Sequence, residues 1–164
     1  MSLPRGIRNN NPLNIRRSKD QWQGLKREQT DSSFCQFEDL VYGWRAAFRL
    51  LTRTYYHTYR LYTIRAIVNK WAPPNENNSK AYVENVSRLT GIHPDEPLGI
   101  PSESPARWIA LGAAMAIQEN GLIKREQSEL VRSAERENGR AELNGVTSID
   151  WFAMLRGWEM ARSS

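Results

Sequence analysis

Cysteine and histidine are almost absent from this sequence. Cys35 is the single cysteine, and His57 and His93 are the only histidines among 164 residues. One thiol forms no disulfide within the chain. So few sulfur and imidazole ligands leave no multi-cysteine zinc or iron–sulfur site and no His-rich metal centre. None of the three stands in a recognisable nucleophile motif, and Cys35, close to Phe34 and Phe37, reads as a small core residue. No metal and no organic cofactor is expected. Long apolar runs are missing as well: nothing approaches the ~20 residues a bilayer span requires. The early cations Arg5, Arg8, Arg16 and Arg17 are followed by no apolar stretch, so no signal peptide is visible and the localisation stays open. Internal repeats and low-complexity tracts are also lacking.

What is present is ordinary globular material. Hydrophobic residues make up 40% and charged residues 25% of the chain, and the length fits one domain over residues 1–164. The net charge is +5, and of 23 cations 18 are Arg. A basic surface suits a polyanionic partner such as a bacterial wall polymer, a nucleic acid or a membrane surface, but it also serves plain solubility.

The pattern of apolar residues predicts a mainly α fold, with at most a small β or irregular segment near residues 12–37. The Asn-rich stretch from Asn9 to Asn14 reads as turns, because Asn tolerates left-handed backbone and bonds to its own neighbours. A helix is expected from about Leu40 to Leu61, capped by Asp39, with Trp44, Phe48, Leu51 and Tyr55 inward. A short helix follows over residues 63–70, stopped by Trp71-Ala72-Pro73-Pro74. Ser79 should cap the next helix, which Gly91 ends. Ser104 and Pro105 open a long apolar helix that closes at Asn120-Gly121. A charged helix over about 123–137 and a last one over about 149–162 complete the series.

With thiols and imidazoles scarce, carboxylates are the best catalytic candidates. Trp108, Leu111, Met115, Glu119 and Leu122 share one helical stripe, so Glu119 lies in line with apolar residues at the helix C-terminus. Desolvation and the negative helix end both disfavour its ionised form. A carboxyl so raised is what glycosidic cleavage needs as its general acid. The bland alternative is a Glu at a fraying helix end, reaching water. Glu76 sits in a loop near a helix N-terminus, where backbone N–H groups favour a carboxylate. That suits a clamp or a base, and Glu76 is the second catalytic candidate. Glu38 is most simply a first-turn acid. Six Trp and six Tyr offer faces for stacking on sugars or bases. Trp44, Trp108 and Trp151 read as core, and Trp22 and Trp71 as candidates for exposure.

The run Arg5-Gly6-Ile7-Arg8-Asn9-Asn10-Asn11-Pro12-Leu13-Asn14-Ile15-Arg16 resembles the opening of a phage and prophage family of virion-associated cell-wall lysins, which includes the lysin of enveloped double-stranded RNA phages. The likeness continues through Trp22-x-Gly24, Phe34-x-x-Phe37, Gly43-x-Arg45-Ala46, Trp71-Ala72-Pro73-Pro74-x-Glu76-Asn77-Asn78, Tyr82-x-x-x-Val86 and Gly91. It spans residues 5–100. The resemblance implies a lysozyme-like helical fold and cleavage of the MurNAc–GlcNAc bond of peptidoglycan, as a lytic transglycosylase. Gln118-Glu119-Asn120-Gly121 is similar to the helix-end Glu-Ser-Gly element of that superfamily, with Asn120 in place of Ser. The Asn-rich element follows the Glu in related glucosaminidases and precedes it here. Glu137-Asn138-Gly139 repeats the tripeptide in a charged setting that lacks desolvation.

The leading expectation is therefore a peptidoglycan-degrading enzyme with Glu119 as acid and base. Asn10, Asn11, Asn14, Trp22 and Tyr82 would line the groove for glycan strands. The second expectation is a non-catalytic virion or wall-binding module, with phage virion components as partners. A nucleic-acid-binding protein is the third. It finds no Arg-clustered reader helix to support it, and nucleic acid is not expected as a partner.

Overall fold

The computed structural model describes residues 3–72, 78–122 and 149–163. Glu76, the expected helix over 123–137 and the Glu137-Asn138-Gly139 tripeptide lie outside the described residues. What is described is mainly helical, as the patterning predicts. In chain order come α1 (Arg5–Arg8), α2 (Leu40–Arg49), a π-helical continuation of α2 (Leu50–Thr58), α3 (Ile64–Trp71), α4 (Ser79–Thr90), α5 (Pro105–Asn120) and α6 (Trp151–Arg162).

α5 is the axis of the core. Every residue from Trp108 to Ile117 is buried, the fate of a helix that is apolar on all sides. α4 packs along α5, α3 packs on α4, and α2 pairs with α6. Gly112 leaves room on α5 for the rings of Phe48 and Trp44. Those two rings stack with centroids 5.4 Å apart, and Phe48 meets Trp158 of α6 edge-on at 5.1 Å. Such aromatic pairs add to the stabilisation that burial alone supplies. Trp108 and Trp151 are buried as expected, and so is Cys35.

Most helix ends follow their capping chemistry, although the side chain of Ser104, expected to cap α5, makes no cap hydrogen bond. Asp39, Thr63 and Asp150 accept from the backbone N–H groups of Val41, Ala66 and Ala153, each satisfying a donor the helix leaves unpaired. Asn78 does this for α4, one residue before the expected Ser79. Gly91 and Gly121 close α4 and α5 in the left-handed conformation, at φ +75° and +61°.

Two expectations are refined. The helix expected over residues 40–61 is regular only to Arg49 and then widens into π geometry. The hydroxyl of Thr52 donates to the Phe48 carbonyl at 2.6 Å, competing with the regular backbone bond. The N–H of Tyr59 reaches back five residues to the Thr54 carbonyl. The wider turns change the phase of the side chains. Leu50 and Tyr55 come to line one cleft, and Tyr56 packs edge-on against Trp108. The segment near 12–37 contains two isolated antiparallel bridges, Arg16 with Phe34 and Leu25 with Phe37. Much of its backbone bonds instead to the side chains of Asn11, Gln29, Asp31 and Gln36, so no longer ladder forms.

Gly43 fixes this segment on the helical core. A Cβ there would strike the Asn10 carbonyl and crowd the Pro12 ring. The obstacle is backbone, which yields poorly. Gly43→Ala should lower stability by about 1–3 kcal/mol, the usual cost of overpacking. Urea denaturation would show it as a lower midpoint at unchanged slope.

Candidate active site around Glu119

The Asn-rich run is a tight scaffold. After α1, Asn10 and Asn14 adopt left-handed backbone at φ +54° and +53°, which Asn tolerates better than most residues. Asn11 is fully buried. Its side chain donates to the carbonyls of Ile15 and Cys35 and accepts from the Ile15 N–H. Asn10 donates to the Phe37 carbonyl. These amides hold the chain in shape, and neither is among the residues that line the Glu119 cleft. Their polar capacity is spent on backbone that would otherwise be buried unpaired.

Asn120, at the end of α5, ties this scaffold to the core helix. It is buried, and its amide donates to the Pro12 carbonyl at 2.8 Å and the Ala116 carbonyl at 3.0 Å. Gly6 of α1 packs where the side chains of Asn120 and Asn14 converge. The result sets Asn14 against Glu119. The Asn14 amide donates to Glu119 Oε1 at 3.0 Å, and the Tyr82 hydroxyl, from α4, donates to Glu119 Oε2 at 3.0 Å. Each carboxylate oxygen thus has one neutral donor.

Glu119 opens into a cavity of about 440 Å³. Trp22, Tyr55, Trp71, Arg16 and Asp20 are among its other lining residues. Trp22 and Trp71 are half-buried at this cleft. The indole N–H of Trp22 is buried without an acceptor among the described residues. Tyr82 is buried, is not among the lining residues, and holds the Glu119 carboxyl in place. Arg16, Phe34 and Tyr55 at the cleft were not foreseen. Tyr55, on the expected inward stripe, is half-buried against the core and also lines this cleft. Its ring lies 5.7 Å from that of Trp71. Among the described residues, no group of His, Cys, Asp and Glu is arranged to hold a metal ion, and no helix is long and apolar enough to cross a membrane.

Burial raises the Glu119 pKa above its ordinary 4.5. The hydrogen bonds from Asn14 and Tyr82, the Trp71 side chain and the positive charge of Arg16 act the other way and do not cancel it. Burial, and then the charge of Glu119, push the Tyr82 hydroxyl well up. Burial, with Tyr59 nearby, pushes that of Tyr55 up to about 12. Both phenols stay protonated at neutral pH, and that of Tyr82 serves as a donor to Glu119.

Two outcomes follow from this balance. Tyr82→Phe removes a donor that favours the carboxylate, so the Glu119 pKa should rise further, as read by titration of its carboxyl carbon shift by NMR. The second concerns folding. Glu119 binds its proton more tightly when folded, so its contribution is fully present below the unfolded pKa and is lost as pH rises through the folded one. Glu119→Gln should therefore gain in melting temperature relative to wild type between pH 4 and pH 7. A gap that shrinks with rising pH would contradict the raised pKa.

No family model matches the sequence. Over 120 residues the chain is 39% identical to "Protein P5" of Pseudoalteromonas phage PM2, a match covering 71% of each protein. Identity at that level across most of both chains shows common descent, and this chain belongs to the family of the phage PM2 Protein P5.

Proposed function

We propose that this protein is a peptidoglycan-cleaving enzyme of lysozyme-like fold, acting as a lytic transglycosylase on the MurNAc–GlcNAc bond. The observation that carries the reading is Glu119 itself. It is a half-buried carboxyl of raised pKa with a donor on each oxygen. It opens on a cleft lined by Trp22, Tyr55 and Trp71, whose faces suit sugar rings. Kinship with a phage protein fits a task at the host wall, in or beside the virion, and a net charge of +5 suits anionic wall polymers.

The chemistry uses one carboxyl twice. Protonated Glu119 gives its proton to the glycosidic oxygen, the bond from C1 to that oxygen breaks, and positive charge spreads between C1 and the ring oxygen. Glu119, now a carboxylate, takes the proton of the muramic C6 hydroxyl as O6 closes on C1. The product is a 1,6-anhydro sugar, and Glu119 ends protonated, ready for the next bond. Asn14 and Tyr82 hold the carboxyl in place through both steps and steady the carboxylate between them. Asp20 also lines the cleft, but it is exposed and engaged with the Ser18 hydroxyl at 3.2 Å.

Digestion of purified peptidoglycan, with mass spectrometry of the soluble fragments, tests this. The wild type should release anhydro-muropeptides, and Glu119→Gln should reduce release on the order of 10³-fold while staying folded. Reducing-end sugars would replace the transglycosylase by a hydrolase and turn attention to Asp20. Activity retained without Glu119 would move the acid to Glu76. No fragments from either protein, with binding to walls retained, would favour a non-catalytic wall-binding module.

A further inference from the structure

Four arginines crowd the N-terminal segment, and three are spoken for. Arg5 pairs with both oxygens of Asp31 at 2.7 Å. Arg8 donates to the Leu3 carbonyl and Arg17 to the Asp31 carbonyl. Arg16 differs. Its guanidinium lies 5.2 Å from the centre of the Phe34 ring, on which Arg5 also rests, at 4.6 Å. Arg16 makes no side-chain hydrogen bond or ion pair among the described residues, and it is exposed along the cleft that holds Glu119. Asp20, which lines the same cleft, bonds to Ser18 instead.

An aromatic face orients a guanidinium but leaves its five N–H donors open in the ring plane. The fork then matches a carboxylate in two parallel hydrogen bonds. The electrostatics agree, because Arg16 is near enough to favour the charged form of Glu119. A cation beside a general acid lowers the pKa that the acid needs raised. A substrate anion seated on Arg16 would screen that effect.

We propose that Arg16, oriented by Phe34, is the residue of this cleft that binds a carboxylate of the substrate. The proposal rests on reading the cleft as a glycan site. It adds that the glycan is recognised as an acid and not as neutral sugar alone. In peptidoglycan that carboxylate comes either from the lactyl group of a bare strand or from the stem peptide.

Calorimetric binding tests the idea in the Glu119→Gln protein, where turnover is suppressed, with and without Arg16→Ala or Arg16→Lys. Three tetrasaccharide probes separate the sources: neutral chitotetraose, a peptide-free glycan with free lactyl groups, and a muropeptide with intact stems. Arg16→Ala should weaken binding of at least one acidic probe about tenfold, leave chitotetraose unchanged and flatten the salt dependence. Arg16→Lys should restore part of the loss. Whichever acidic probe shows the loss identifies the carboxylate. Equal affinities for all three probes with and without Arg16 would overturn the proposal, as would an Arg16→Ala effect confined to the Glu119 pKa in the wild-type background. Absence of binding to every probe by both forms would instead overturn the glycan reading, and this inference with it.

Discussion

The cleft depends on the bond from the Asn120 amide to the Pro12 carbonyl. Asn120 ends the most buried helix among the described residues, and Pro12 lies in the run of turns that carries Asn14. The two are 108 residues apart in sequence, and bringing them together costs loop-closure entropy. Burial of α5 and of Leu13 and Ile15 on the common core offsets that cost. Once Pro12 is fixed, the left-handed turn at Asn14 points its amide at Glu119. A similar logic runs through Asn11, whose three bonds to Ile15 and Cys35 tie the two sides of the segment together. Asparagine recurs because each site uses a short amide as a donor, to backbone carbonyls from Asn10, Asn11 and Asn120 and to Glu119 from Asn14.

The setting of Glu119 is a compromise between two opposed demands. A carboxyl sunk at the end of an apolar helix resists ionisation, and one left without partners would cost further stability. Two neutral donors satisfy its oxygens without supplying a formal charge. Contact with a cation would have driven the pKa down, as Arg5 does to Asp31, whose carboxyl lies far below the usual carboxylate range. Asp31 is a structural carboxylate, tied to Arg5, Asn9 and the backbone of Ser33 and Phe34. Glu119 has burial first and neutral bonds second, so its carboxyl holds its proton more tightly than an exposed Glu does. The contrast between these two carboxyls, in one small molecule, is that of a paired charge against burial.

Much of the helical plan was legible in sequence because it rests on local chemistry. The apolar stripes, Asp39, Thr63, Gly91, Pro105 and Gly121 mark most of the boundaries that the structure shows. Glu119 was legible for the same reason, as a carboxyl in line with Trp108, Leu111 and Met115. Its partners were legible only in part. Asn14 and Tyr82 could be named as site residues, but not as donors to Glu119, because no spacing rule spans 105 or 37 residues. Asn10 and Asn11 carried the same polar signal as Asn14 and turned inward to the backbone. Tyr55 packs against the core as the stripe implies, but helical spacing gives no sign that it also lines the cleft.

The order of the motifs points to a further constraint. The Asn-rich run comes first in the chain, with Asn14 lying 105 positions before Glu119. The contact from Asn14 to Glu119 needs only that the two segments meet. A side-chain hydrogen bond carries no record of chain direction, so either order satisfies it. What the chain must supply is a firm seat for the Asn-rich segment, and the structure supplies two. Gly43 admits the Asn10 carbonyl against α2, and Asn120 fixes Pro12 against α5. A segment held at both points has one way to present Asn14. The precision of the Glu119 site therefore belongs to the packing around the Asn-rich run more than to the order in which the pieces occur.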